Sequence, residues 1–244
     1  MSAMKSISLI MKRELSSYLN TTWGCSILAV ILLLDGLLFN SFAMGSSARY
    51  SADVLEDFFY FSSGTTMIAG VLLTMRLLAE ERQTGTESLL QTAPVSEGHV
   101  VIGKFLGAFS FLMLITLLTL YMPILIQING KVSWGQIAIG YFGLACLGGA
   151  TIAIGTLGSA IARNQLFAAI LGGGLLVFFL LGWLIGQIAE SPVSDIFSYI
   201  ALFDRHFQPF MRGRLNSEGV IFYLSVTVGF LLLSTRILQA RRQA

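Results

Sequence analysis

Charged residues are scarce in this sequence, at 11% of 244 residues, against about 25% in soluble domains. Hydrophobic residues make up 55%, so we expect an integral membrane protein. The formal net charge of +2 is too small to indicate nucleic-acid binding, and no basic run is interleaved with aromatic residues. A nucleic-acid partner is therefore not expected.

Cysteine and histidine are also rare, with two of each. Cys25 and Cys146 lie in apolar segments without a CxxC pair, which favours buried thiols over a metal or redox site. His99 and His206 are predicted on opposite sides of the membrane, and neither HExxH nor GxSxG occurs. The sequence predicts no catalytic site, no metal and no cofactor.

One motif imitates a phosphate-binding loop. Residues 98–104 satisfy G-x-x-x-x-G-K, but Phe105 stands where a Ser or Thr would hold magnesium, and the match lies in an apolar helical segment. Gly103 and Gly107 instead form GxxxG, which favours close helix packing. The chain is therefore not expected to bind ATP itself.

Six apolar segments have about the length that a helix needs to cross a bilayer. They lie at residues 22–44, 58–79, 98–126, 136–161, 165–187 and 217–238. Backbone groups in lipid must bond within the chain, which leaves helices. The expected fold is an all-α membrane protein in which residues 1–244 form one domain with six transmembrane helices.

The first 20 residues have a helical pattern of their own. Apolar residues recur at spacings of three and four, at Met4, Ile7, Met11, Leu15 and Tyr18. Lys5, Lys12 and Arg13 lie away from this stripe. Residues 1–20 are therefore predicted to form a helix in the membrane interface, with a solvated leader as the alternative.

Basic residues indicate the orientation. With a cytoplasmic N-terminus, the inner segments hold ten of them: Lys5, Lys12, Arg13, Arg76, Arg82, Lys104, Arg163, Arg236, Arg241 and Arg242. The outer segments then hold five: Arg49, Lys131, Arg205, Arg212 and Arg214. Both termini are therefore predicted to be cytoplasmic.

The outer segments differ in character. Residues 45–57 carry Asp53, Glu56 and Asp57 and read as a short acidic loop. Residues 188–216 are too apolar to be solvated, and we expect one or two short helices there that dip into the outer leaflet as a re-entrant region.

A polar stretch separates the second and third spans, and residues 80–97 are interpreted as a cytoplasmic coupling segment. Thr84–Glu87 fits the capping box S/T-x-x-E, so a helix is predicted to start at Thr84, with Thr86 as a rival cap. Pro94 disfavours the helical conformation of the residue before it, so this helix should end at Ala93. A short helix between two spans can push on both; a plain solvated loop is the alternative.

Few polar side chains occur inside the spans, and some of them are candidate pathway residues. Asp35 is the one carboxylate well inside a predicted span, so it should face the bundle or water, either as a functional group or as a paired structural one. The second span also begins with a hydroxyl-rich run that suits a helix contact or a polar lining. Its candidate residues are Ser62, Ser63, Thr65 and Thr66.

Residues 81–96, ERQTGTESLLQTAPVS, resemble the permease subunits of type-2 ABC exporters, and most closely the small permeases of the gliding-motility type. The shared pattern is an acidic-basic pair, Gly-Thr, an acidic residue and a Leu pair, and it ends with Pro-x-Ser. The leader resembles the family's interfacial connecting helix, and residues 207–213, FQPFMRG, resemble its external re-entrant region. One departure is that the external loops are short, so no large periplasmic domain for substrate capture is expected.

The resemblance implies a non-catalytic transmembrane subunit of the bacterial inner membrane. Two such subunits, identical or paralogous, would form the pathway, and a separate ABC ATPase would bind below the coupling helix. The residues predicted to serve this docking are Arg82, Thr84, Gly85, Thr86, Glu87, Leu89, Leu90 and Pro94.

Two other functions remain open from the sequence. A membrane anchor in a motility or secretion complex would use ATP-linked movement for mechanical work. An ion-coupled secondary transporter would depend on Asp35, although the two halves of the chain show no obvious repeat.

Overall fold

A computed structural model describes residues 3–43, 50–86, 96–130, 132–188, 190 and 193–243. The helices of these residues, in chain order, are α1 Ala3–Asn20, α2 Thr22–Leu38, α3 Ser51–Thr74, α4 Ala79–Gln83, α5 Glu97–Leu118, α6 Tyr121–Asn129, α7 Trp134–Ile161, α8 Gln165–Ile188, α9 Val193–Ile200, α10 Gln208–Met211 and α11 Ser217–Gln243. A π-helical turn, Phe39–Ala43, extends α2.

Six helical stretches of the described chain are long and apolar enough to cross a membrane, so the prediction of an all-α protein with six spans is confirmed. They are Thr22–Phe42, Ser51–Gln83, Glu97–Ile128, Trp134–Ile161, Gln165–Gly182 and Ser217–Arg242. We call the end of the bundle where α3 ends and α5 begins the inner end, and the opposite end the outer end. The inner end is the one predicted to be cytoplasmic.

Helix α7 lies at the centre of the bundle and packs against α3, α5, α8 and α11. Small residues make this possible. A Cβ added at Gly143 would lie 2.6 Å from the Cβ of Phe210, and one added at Gly158 would lie 2.6 Å from the backbone nitrogen of Gly172 in α8. Glycine at these two positions therefore allows the close helix packing.

The second span begins earlier than its apolar run suggests. The sequence predicts an acidic loop over residues 45–57, but residues 51–57 form the first turns of α3, so the loop prediction is wrong for them. Asp53 lies in the first turn, where a carboxylate stabilises the positive end of the helix dipole. Apolar composition marks where a helix can enter lipid; it does not mark where the helix starts.

The third span is interrupted near its outer end, although the sequence predicts one helix over residues 98–126. Helix α5 ends at Leu118, and α6 begins at Tyr121. Pro123 has no N–H to donate to the carbonyl of Thr119, so the helical ladder cannot continue through this point. The hydroxyl of Thr119 lies 3.0 Å from that of Tyr141 in α7, which holds the break against the bundle.

The outer segment contains two short helices, α9 and α10. Phe207 and Phe210 are fully buried in the same core cluster as Tyr223 of α11, whose hydroxyl donates to the carbonyl of Leu202 at 2.6 Å. This segment therefore packs against the outer end of the bundle, which agrees with its apolar composition. Its depth in a membrane remains a prediction.

His206 anchors this outer segment. Its ring lies parallel to that of Phe222, with centroids 3.8 Å apart, and Nε2 lies 2.9 Å from the carbonyl oxygen of Tyr199. Because a carbonyl only accepts, Nε2 carries the proton of the neutral ring. Burial lowers the pKa of His206, so the fold favours the neutral form.

The close approach of α7 and α8 predicts a test of the packing. Gly158→Ala should destabilise the protein by about 1–3 kcal/mol, because the new methyl group meets backbone that cannot rotate away. Gly174→Ala in α8 is the matched control, since a Cβ there meets nothing within 4 Å. Reversible denaturation in detergent measures both variants; equal midpoints would refute the close contact.

The burial of His206 predicts a loss of stability in acid. Above the unfolded-state pKa of about 6.5 both states are neutral, and stability is full. As pH falls through that value, the unfolded chain takes up a proton that the folded chain resists, so stability declines. His206→Gln should flatten the dependence of the melting temperature on pH between 7.5 and 5.5. A wild-type slope retained by His206→Gln would count against this account.

Candidate functional site

The coupling segment is fixed to the bundle at its start. After α3 ends at Thr74, the chain turns and enters α4 at Ala79. The backbone N–H groups of Leu78 and Ala79 both donate to the hydroxyl oxygen of Ser159 in α7, at 3.0 Å each. A serine of the fourth span thus satisfies N–H groups that the start of a helix leaves unpaired.

Arg82 makes a second attachment to the fourth span. Its Nη1 donates to the carbonyl oxygens of Ala160 and Ala162, at 2.7 and 2.6 Å. These carbonyls lie at the C-terminal end of α7, where a cation is favoured by the helix dipole. The guanidinium is therefore engaged within the chain, with a partner that no local sequence pattern indicates.

Thr84 ends a helix instead of starting one, so the prediction of a capping box there is wrong. Its N–H donates to the carbonyl of Glu80 at 2.9 Å, which makes Thr84 the C-cap of α4. Gly85 follows with φ of 73°, the left-handed conformation that glycine adopts after a helix. The hydroxyl of Thr84 lies 3.0 Å from that of Thr86.

The remaining predicted docking residues lie outside the described residues. They are Glu87, Leu89, Leu90 and Pro94. Their role, and the prediction of a helix that ends at Ala93, remain predictions from the sequence.

A buried group of charges joins the coupling segment to the leader and the third span. Nζ of Lys104 lies 2.8 Å from Oε1 of Glu14 and 2.9 Å from Oε1 of Glu81, and its side chain is only 4% exposed. Arg13 reaches the same Glu81 oxygen at 3.4 Å from an exposed position. We call Arg13, Glu14, Glu81 and Lys104 the Lys104 cluster.

The leader can reach Lys104 because two glycines of α5, one before and one after this lysine, leave room for α1. A Cβ added at Gly103 would lie 2.8 Å from Ile10, and one added at Gly107 would lie 2.6 Å from the Cβ of Glu14. Helix α1 therefore lies against α5, as the GxxxG motif predicts. The motif that imitates a phosphate loop is thus a packing site on a helix, with its lysine turned toward two carboxylates.

Tyr18 joins the leader to the end of the second span. Its hydroxyl donates to the carbonyl of Leu73 at 2.8 Å, and its ring stacks on Phe111 of α5 with centroids 5.2 Å apart. Burial raises the pKa of Tyr18, which keeps its hydroxyl protonated as a donor. The predicted leader stripe is therefore packed at this end, whereas Met4 at the other end is 81% exposed.

The candidate pathway residues separate into two places. Asp35 is buried, and its Oδ1 accepts a hydrogen bond from the Thr65 hydroxyl at 2.6 Å. Asp35, Ser62 and Thr66 line a void of about 10 Å³, near the smallest size that holds one water molecule. Ser63 and Thr65 instead line an open cavity of about 810 Å³ toward the outer end. Thr65 therefore both lines the open cavity and gives Asp35 a structural hydrogen-bond partner, while Asp35 itself does not line that cavity.

Comparison with protein families gives a match that covers nearly the whole chain. Residues 15–241 match the model described as ABC-2 family transporter protein. A search of the curated proteins finds no match.

The Lys104 cluster predicts unequal effects for its two cations. Lys104→Met leaves two partly buried carboxylates without their shared, buried cation, which should cost about 3–5 kcal/mol. Arg13→Met removes a cation whose side chain is 68% exposed, and that change should cost below about 1 kcal/mol.

Denaturation of each variant in detergent measures the difference. A third variant, Lys104→Met with Glu14→Gln and Glu81→Gln, removes the uncompensated charges and should recover much of the loss. Equal effects of Lys104→Met and Arg13→Met would show that the cluster does not hold the inner end together.

Proposed function

The chain belongs to the ABC-2 family of transporter proteins and is a multi-pass transmembrane permease of an ABC transporter; from this membership we propose that it works as a non-catalytic subunit of an exporter. ATP hydrolysis takes place on a separate ATPase subunit, which binds below the coupling segment. The inner end faces the cytoplasm of a bacterial cell, and the membrane is the cytoplasmic one.

The observation that supports this proposal most directly is the attachment of the coupling segment. Glu81 pairs with buried Lys104 of the third span, and the start of α4 is held by Ser159 of the fourth span. Glu14 of the leader pairs with the same lysine. A push on this segment therefore reaches the leader, the third span and the fourth span through short polar contacts.

The predicted docking residues divide into two roles in this proposal. Arg82 acts inside the chain, where it holds the segment against the C-terminal end of α7. Glu87, Leu89 and Leu90 contact the ATPase, with the leucine pair as the apolar anchor and Glu87 as the charged one. Thr84, Gly85 and Thr86 form the turn between α4 and these docking residues. Pro94 marks the end of the docking segment in the sequence.

A second permease copy or a paralogue completes the pathway. The 810 Å³ cavity is open and is lined by charged as well as apolar residues of α3 and α8. Charged side chains within a membrane protein face a water-filled space or another chain and avoid lipid. The second subunit covers this side of the bundle, and the cavity becomes one half of the translocation route.

The docking model predicts the effect of one charge reversal. Glu87→Lys should reduce the ATPase subunit that co-purifies with the tagged permease at least tenfold, or about 1.4 kcal/mol of binding, since it places a cation where the partner meets a carboxylate. Glu190→Lys makes the same reversal in the outer segment and should leave co-purification intact. If the two variants retain the ATPase equally well, the docking model fails.

A further inference from the structure

The open cavity has a composition that points to the kind of molecule it receives. It lies toward the outer end between α2, α3, α8 and the outer segment. One wall is the exposed face of α3, from Asp53 to Ile68. The fifteen helical steps from Asp53 to Ile68, at about 1.5 Å each, make this wall about 22 Å long.

The outer part of the cavity is acidic. Four carboxylates line it, those of Asp53, Glu56, Asp57 and Asp204, beside one guanidinium, that of Arg212. Nε of Arg212 donates to Oε1 of Glu56 at 2.9 Å. The lining therefore carries three more negative charges than positive ones.

The inner part of the same cavity is mainly aliphatic. Its lining there includes Leu34, Leu38, Ile68, Leu180 and Leu181, with the hydroxyl groups of Ser63 and Thr65 on the α3 side. Ile68 lies eleven residues beyond Asp57 on α3, about 16 Å along the helix axis. A ligand that fills the cavity thus meets carboxylates at one end and aliphatic side chains at the other.

One carboxylate oxygen in this group lacks a partner. Oδ2 of Asp204 is buried, and within the described part of the chain it has no hydrogen-bond partner. Burial also raises the pKa of Asp204, because the charged form loses water on burial. A bound cation would supply that compensation.

We propose that this cavity binds an organic cation with an apolar body, and that such cationic amphiphiles are the substrate class of the permease. The proposal rests on the proposed function, since it assigns a ligand to the cavity described there as half of the route. The cationic group sits among the four carboxylates, and the apolar body lies along α3 toward Leu34 and Leu181.

Other ligand chemistries fit this lining less well. An anionic lipid or polysaccharide would place its charge beside an excess of carboxylates, and like charges repel. A bare metal ion would leave the aliphatic half of the cavity without a function. A second copy of the chain that fills the apolar half with its own side chains, instead of enclosing it as the route, would leave no room for a ligand.

The test compares two ions of the same shape and opposite charge. The full chain is placed in phosphatidylcholine nanodiscs, and binding of tetraphenylphosphonium and of tetraphenylborate is measured by equilibrium dialysis, with empty nanodiscs as the background. We expect saturable binding of the cation alone. Asp53→Asn with Asp57→Asn should weaken it about tenfold, with a smaller loss for Asp53→Asn alone. Glu190→Gln, outside the cavity, should change nothing.

Three results would overturn the proposal. These are saturable binding of tetraphenylborate at equal strength, binding of the cation that the double variant leaves unchanged, or no saturable binding because a second copy fills the cavity. A size-exclusion profile that matches the wild type shows that the variants are folded. The nanodiscs contain no ATPase, so these results concern the substrate class, whereas the proposed function fails separately if Glu87→Lys retains the ATPase.

Discussion

The inner end of this protein depends on the burial of one lysine. Lys104 is held in the third span with 4% of its side chain exposed, and an ammonium group at that depth needs carboxylates within contact distance. One of them comes from the leader and the other from the segment after the second span. The charge can therefore be satisfied only when three parts of the chain meet, so the requirement of a single side chain determines how they are arranged.

Two further features follow from that meeting. The glycines on either side of Lys104 let α1 lie directly on α5, and Ser159 with Arg82 fixes the other side of the coupling segment to α7. The outer end is organised differently, by aromatic packing around Phe207, Phe210 and Tyr223. Helix α3 connects the two ends of the bundle. Its first turns line the acidic part of the cavity, and its last turn leads into the coupling segment and the Lys104 cluster. A movement at one end can therefore reach the other end through a rigid helix.

The sequence predicts those features of the fold that depend on a single helix or a single motif. Six apolar runs predict six spans because the bilayer sets the length of each helix independently, and GxxxG predicts the close packing at Gly103 and Gly107. Prediction from the sequence fails for contacts that join distant parts of the chain. Lys104 and Glu14 are 90 residues apart, and nothing local in the sequence indicates that they meet. The mistake at Thr84 has a similar origin, since threonine and glycine can precede a helix or end one, and only the preceding turns of α4 decide which.

The central claim is that the leader and the coupling segment move as one body when ATP drives the permease. The most direct measurement is the distance between spin labels at Lys12→Cys and Gln83→Cys, both in exposed positions, by pulsed electron resonance. The labels are placed in a Cys25→Ser, Cys146→Ser background, and the full complex is compared without nucleotide and with trapped ATP. A narrow distance distribution that is identical in both states, and that broadens in Lys104→Met, is the expected result. A wild-type distance that shifts on ATP binding would contradict the claim, because the two elements would then move independently.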